Sequence, residues 1–294
     1  MLTSADAIEQ ELESHRRALT GYCYRMLGSG SEAEDAAQET IVRAWKAADN
    51  LKERAALKAW LFRIASNVCF DMLHGSQRRA QPMDLGPAST ADSSLGAGLP
   101  EHAWVRPIAD ERVLSPDADP AAVADTRETL RLAFVAALQH LPPRQRAVLI
   151  LREVLRWQAS EVAELLETSV ASVNSSLQRA RATLEGLELD TSGPSAVGSE
   201  QQELLARYVD AFERYDMSSL VSLLHEDANF SMPPFPLWVR GPEEITRFML
   251  GQGIECKGSR LLTTSANGGP AVGVYHPEAA SVVALRVAES RRTP

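Results

Sequence analysis

The stretch WQASEVAELLETSVASVNSSLQRARATL, residues 157–184, carries the most specific local pattern in the chain. A helix from about Ser160 sets Val162, Leu165 and Leu166 on one face, a turn follows at Glu167-Thr168, and Ser169 is placed to cap a second helix. There Val170, Val173, Leu177, Ala180 and Leu184 recur at steps of 3, 4, 3 and 4, which defines a buried side. The opposite side carries Ala171, Ser172, Ser175, Gln178, Arg179 and Ala182, with Asn174 and Arg181 on its flank. Small and amide side chains with arginines suit a helix that enters a major groove, where Ser, Gln and Arg bond to base edges and phosphates. The plainer alternative is a helical hairpin with a solvated outer face. This segment alone leaves the two readings level.

Working outward, the first eighty residues are also helical. Leu57, Trp60, Leu61, Ile64, Ala65, Val68, Met72 and Leu73 fall on one helix face. A helix from Ser31 opens with Ser-Glu-Ala-Glu, a capping-box pattern, and continues with Ala37, Ile41, Ala44, Trp45 and Ala48 on a second apolar stripe. Between these helices and the 157–184 stretch lies a segment rich in Pro, Gly, Ser and Asp, with little periodicity. It reads as a flexible linker over residues 81–125. A second, shorter linker falls at 187–199, LELDTSGPSAVGS. The last block, 199–294, changes character: one helix near 200–224, a short helix from Pro242, then β-rich runs RLLTTSA, AVGVYH and SVVALRV. The fold class expected is mainly α, with a C-terminal α+β domain.

Charge is distributed with the same boundaries. The 294 residues carry a formal net charge of −9. Residues 1–80 are neutral, residues 81–125 hold −6, residues 126–189 hold +1 and residues 190–294 hold −4. Such a balance excludes a general nucleic-acid coating protein, whose affinity comes from net basic surface. The three cysteines, Cys23, Cys69 and Cys256, are widely spaced and odd in number, so neither a disulfide framework nor a thiolate metal site is expected. No leader and no membrane span are read, which gives a cytoplasmic expectation.

Two further motifs decide between the readings of the 157–184 stretch. LPPRQRAVLILREVL (141–155) followed by ASEVAELLETSVASVNSSLQRARATL (159–184) resembles region 4 of bacterial sigma factors of the extracytoplasmic-function (ECF) group. Independently, SEAEDAAQETIVRAWKA (31–47) and LKAWLFRIASNVCFDMLH (57–74) resemble region 2 of the same group. The resemblance covers residues 8–187 and implies a promoter-specificity subunit. It would dock on the clamp helices and flap of RNA polymerase core, with promoter DNA as its second partner, no cofactor, and an anti-sigma factor as an open possibility. In the DAAQE motif it implies polymerase contact for Asp35, Gln38 and Glu39, which face away from the apolar stripe. For the −10 element it implies Lys52 and Arg54 from the preceding loop, with Lys58, Arg63, Asn67 and Asp71 from the helix. Cations there would hold phosphates, and amide or carboxylate groups would read an unstacked base. For the −35 element it implies Ser172, Asn174, Ser175, Gln178, Arg179 and Arg181. Trp60, although a possible stacking platform, sits in the apolar stripe and is expected in the core. Asn174 and Ser176 stand where many members of the group carry Lys and Arg, which removes two phosphate-contacting cations.

EQQELLARYVDAFERYDMSSLVSLLHEDANFSMPP (200–234) and WVRGPEEITRFM (238–249) resemble the SnoaL-like domain, a cone-shaped α+β fold appended to some members of the group. The block is short for that fold, which leaves two expectations open: an incomplete pocket or a truncated chain. In the linker, LPEHAWVRPIAD (99–110) is similar to linkers of this subgroup; Trp104 and Pro107 either anchor it against the C-terminal domain or lie in a free tether. His225, Glu226 and Asp227 stand at the helix-to-strand junction where some SnoaL-like enzymes keep a catalytic group, but a polar turn cap is the favoured reading. Two other functions remain as rivals: a free-standing helix-turn-helix regulator with a ligand-binding tail, and a SnoaL-type enzyme. The first predicts duplex binding without polymerase, and the second predicts turnover that depends on His225 or Asp227.

Overall fold

The computed structural model describes residues 4–48, 56–74, 79–115, 120–187, 199–276 and 279–286. In chain order its helices are α1 (Ser4–Ser14), α2 (Arg16–Leu27), α3 (Gly30–Lys46), α4 (Leu57–Leu73), α5 (Pro82–Leu85), α6 (Pro120–Leu130), α7 (Leu132–Leu138), α8 (Pro143–Leu149), α9 (Ala159–Leu165), α10 (Val170–Glu185), α11 (Ser199–Glu213), α12 (Met217–Ser222) and α13 (Pro242–Leu250). Its strands are β1 (Asn229–Ser231), β2 (Trp238–Arg240), β3 (Arg260–Ala266), β4 (Gly269–His276) and β5 (Ala279–Arg286). The chain divides into two units. One holds residues 1–79 and 105–190, the other 80–104 and 191–294. The fold is mainly α with an α+β C-terminal unit.

The first unit has one hydrophobic core shared by both helical blocks. Tyr22 of α2 meets Phe62 of α4 edge-on at 5.3 Å, and Phe62 in turn meets Trp157, just before α9, at 5.3 Å. The Tyr22 hydroxyl is paired with Ser66 Oγ at 2.7 Å, so the buried phenol is satisfied. Trp60 packs half-buried against this core, as its stripe required. Trp45 does not: it is 56% exposed. The cap of α3 also differs from the expected Ser31–Glu34 box. The helix starts earlier, Ser29 Oγ accepts from Glu32 N at 3.5 Å, and Glu32 is free to pair with Arg79. Gly30 is required at that start, because an added Cβ would lie 2.7 Å from the carbonyl oxygen of Pro107.

Two arginines tie the blocks of this unit together. Arg25 of α2 donates to Gly21 O at 2.8 Å and to Thr129 Oγ1 of α6 at 2.7 Å. Arg146 of α8 donates to Gln139 Oε1 at 2.7 Å, to Leu141 O at 3.0 Å and to Met26 O at the end of α2. Neither faces a carboxylate among these bonds, and burial pulls both guanidinium pKa values down to about 10. The first unit therefore closes on buried charge held by carbonyl and hydroxyl oxygens, with Arg146 Nε left without a hydrogen-bond partner.

In the second unit β1 and β2 pair antiparallel, and β3, β4 and β5 form a meander with Leu261 opposite Val274 and Val274 opposite Val283. Tyr208, Phe212, Leu220, Val239, Phe248, Leu261 and Val272 make its core. The expected forty-residue linker is divided between the two units. Residues 80–104 pack with the C-terminal domain, and Ala91 is part of its core. Trp238 Nε1 donates to Gly86 O at 2.9 Å, Ala91 N to Glu244 Oε2 at 2.6 Å, and Gln252 Nε2 to Ala91 O and Ser93 O at 2.7 and 2.8 Å. The ends of this segment meet, with Ala80 N donating to Ala103 O at 2.9 Å. Trp104 belongs to this unit, whereas Pro107 lies in the first.

Candidate nucleic-acid interface

The two helices α9 and α10 form the tight pair that residues 157–184 called for. Gln158 and Glu161 cap α9 reciprocally, with Gln158 N donating to Glu161 Oε2 at 2.6 Å. Glu167 adopts a left-handed conformation, φ 51°, and turns the chain. Ser169 Oγ then accepts from Ser172 N at 3.1 Å and starts α10. Val173, Leu177 and Ala180 are buried; Val170, expected on the same side, is 43% exposed in the first turn of α10.

On the outer face of α10, Ser172, Asn174, Ser175, Gln178, Arg179 and Arg181 are all exposed. Their availability differs. Arg179 lies along its own helix, donating to Ser175 Oγ at 2.9 Å. Arg181 leans to the flank and pairs with Glu153 Oε1 at 2.5 Å, in the wide π turn Ile150–Val154. Gln178 keeps the centre of the face and Ser172 its edge, while Asn174 is exposed on the flank beside Arg181.

A second exposed polar row runs along α4. Lys58, Arg63, Asn67 and Asp71 are exposed, and the last three repeat at four-residue steps on one face. The Lys58 ammonium sits 5.7 Å from the Trp157 ring centroid, a cation–π contact that fixes the start of the row. Asp71 Oδ2 lies 3.4 Å from Arg43 Nη1 of α3. Lys52 and Arg54 lie outside the described residues.

The third row belongs to α3. Asp35, Gln38 and Glu39 are exposed, and Gln38 Oε1 accepts from Arg16 Nη2 at 2.8 Å. Glu39 Oε1 accepts from Arg43 Nε at 2.7 Å, a four-residue helix pair. Asp35 and Gln38 line a cleft of about 1000 Å³ that Glu153 and Arg156 also line. Reading the sequence missed Arg43, although its spacing from Glu39 marks it. It also missed the exposure of Trp45, whose ring lies two helical turns beyond Gln38 on the same side of α3.

In the second unit, His225 Nδ1 accepts from Asp227 N at 3.2 Å, so this junction is a local turn cap. Among the described residues no group of three His, Cys, Asp or Glu side chains could hold a metal, and no helix is long and apolar enough to cross a membrane.

Comparison with known proteins agrees with this layout. Residues 12–79 match the Sigma-70 region 2 family, residues 131–184 match Sigma-70, region 4, and residues 205–284 match the SnoaL-like domain. The ECF RNA polymerase sigma factor SigG of Mycobacterium tuberculosis is 44% identical over 272 residues, covering 90% of this chain and 72% of that protein. SigJ of the same organism is 30% identical over 252 residues, covering 82% of this chain and 72% of SigJ. The crystal structure of SigJ superimposes with a TM-score of 0.55 at 25% identity, covering 90% of this chain and 84% of that one. Three exposed polar rows on one helical unit, a SnoaL-like domain in the other and relatives of this kind lead to one conclusion: the chain belongs to the ECF family of RNA polymerase sigma factors.

Proposed function

We propose that the three rows divide the work of promoter recognition. Asp35, Gln38 and Glu39 dock on the clamp helices of the polymerase core; Arg63, Asn67 and Asp71, with Lys58 and the preceding loop's Lys52 and Arg54, read the −10 element. Ser172, Asn174, Ser175, Gln178 and Arg179 read the −35 element, with Arg181 on a phosphate once it leaves Glu153. Region 4 also reaches the polymerase flap. The observation that carries this reading is that all three rows are exposed on the same unit while its apolar stripes, Trp45 and Val170 apart, pack into one core. The work is done in the cytoplasm, where polymerase and promoter are found. As a sigma factor the chain is not an enzyme.

Both DNA-reading rows cannot be used in the closed unit. The −35 and −10 elements are centred about 25 base pairs apart by their names, roughly 85 Å of duplex. In the unit α4 packs against α9, and α9 against α10. Two helix packings place the reading helices on the order of 20 Å apart. Docking on polymerase therefore has to separate α4 from α9, and an acidic chain that binds DNA weakly alone gains its affinity there. Run-off transcription with purified core polymerase tests the reading. Promoter-dependent product is expected, and a gel shift with duplex alone is expected to be weak. Specific duplex binding without polymerase, and no product with active core, would overturn it in favour of a free-standing regulator.

A further inference from the structure

Asp71 stands in an electrostatically poor place. It occupies the last turn of α4, where the unpaired carbonyls carry partial negative charge and a carboxylate is disfavoured. Its side chain is 69% exposed. What holds it is Arg43, which suits its own position in the last turn of α3. The guanidinium is shared: Nε donates to Glu39 Oε1 at 2.7 Å and Nη1 to Asp71 Oδ2 at 3.4 Å. Both carboxylates, Glu39 first, push the Arg43 pKa up. One side chain thus links the docking row of α3 to the end of the reading row of α4.

We propose that Arg43 is a positioning residue which aims the Asp71 carboxylate at the exocyclic amino group of an unstacked adenine or cytosine, and that engagement of Glu39 by polymerase hands Arg43 over to Asp71. The proposal rests on the assignment of these two rows above. An ionised carboxylate is acceptor-only, and the amino groups of adenine and cytosine are the base-edge donors it matches. The planar guanidinium holds one carboxylate oxygen and leaves the other for the base. In the free protein the shorter bond goes to Glu39. Once polymerase takes Glu39, the guanidinium has Asp71 as its remaining carboxylate in this pair, and base reading is sharpened only on the docked protein.

The test uses the full chain with core polymerase at saturating concentration, so that weaker docking cannot change the result. The probe is a promoter library randomised across the −10 element, and the readout is the preference for amino-bearing over keto bases at its most selective position. Arg43→Gln is expected to lower that preference about threefold, in keeping with an exposed ion pair. Asp71→Asn is expected to remove it, and Arg43→Gln added to Asp71→Asn is expected to change nothing further. Arg43→Lys keeps a cation and restores part of the preference. Full preference in Arg43→Gln, with loss in Asp71→Asn, overturns the positioning role and leaves the row intact. Independent, multiplying effects of the two substitutions also overturn it. Unchanged preference in Asp71→Asn overturns the proposal together with the assignment beneath it.

Discussion

At position 156 the chain puts an arginine where φ is 60°, between the π turn and α9. A side chain with a Cβ pays for that left-handed conformation, and Arg156 is exposed, so nothing buried repays it. Arg156→Gly is expected to raise the free energy of unfolding by about 0.5–1 kcal/mol after the extra entropy of glycine in the unfolded chain. Urea titration of the full chain measures it; an unchanged or lower midpoint would show that the Arg156 side chain, on the wall of the cleft, stabilises more than its backbone costs. Residues of this kind mark the limit of what a sequence reveals. The Ser169 cap and the Glu167 turn were legible because their signals lie within four residues. The buried Arg146 was not, because its partner at Met26 lies 120 residues away and a carbonyl oxygen leaves no signature in side-chain identity. The exposure of Trp45 was hidden for a related reason: periodicity places a residue on a face but does not say how far the neighbouring helix extends.

At the scale of elements, α1, α2 and α4 converge on His15. Its pKa is lowered from 6.5, first by burial and then by the charge of Lys58 on α4, with Glu11 opposing. The unfolded chain therefore takes up the proton before the folded one does. Below pH 6.5 the unfolded state binds more protons, so stability present above that pH is lost as pH falls further. His15→Gln should flatten this slope. Urea midpoints at about pH 7.5 and about pH 5.5 give the comparison, the wild type falling more than the variant. An equal drop in both would assign the acid sensitivity to other groups. The same packing explains why the elements themselves were largely foreseen. The stripes of α4 and α10 needed partners, and each stripe found the core of the first unit. The linker was less legible: Pro, Gly, Ser and Asp predict irregular backbone, and irregular backbone docks as well as it dangles when carbonyls and amides find fixed partners.

At the scale of the molecule, we expect that docked linker to set how far the DNA-reading blocks can part. Residues 80–104 are the part of the 80–130 connection between the region 2 and region 4 blocks that docks on the C-terminal domain, yet their ends meet at the Ala80–Ala103 hydrogen bond. Held this way the segment spans almost nothing; extended at about 3.3 Å per residue it reaches roughly 80 Å, comparable to the promoter distance. The C-terminal domain stores that length through Glu244, Gln252 and Trp238, so we expect it to restrain opening. Glu244→Ala removes a charge-assisted bond to Ala91 N and should cost the docked segment about 1.5 kcal/mol, roughly tenfold in the docked-to-released ratio. Two measurements follow the release. Limited proteolysis should cut within residues 80–104 faster in Glu244→Ala than in the wild type, and promoter-directed transcription at limiting polymerase should rise. Truncation after residue 190 should raise transcription at least as far, since it removes every one of these anchors. If Glu244→Ala speeds cleavage but lowers transcription, the docked linker is a strut that polymerase needs, and the C-terminal domain acts as an activator. If it alters neither, Gln252 and Trp238 hold the segment without Glu244, and the truncation alone decides the sign.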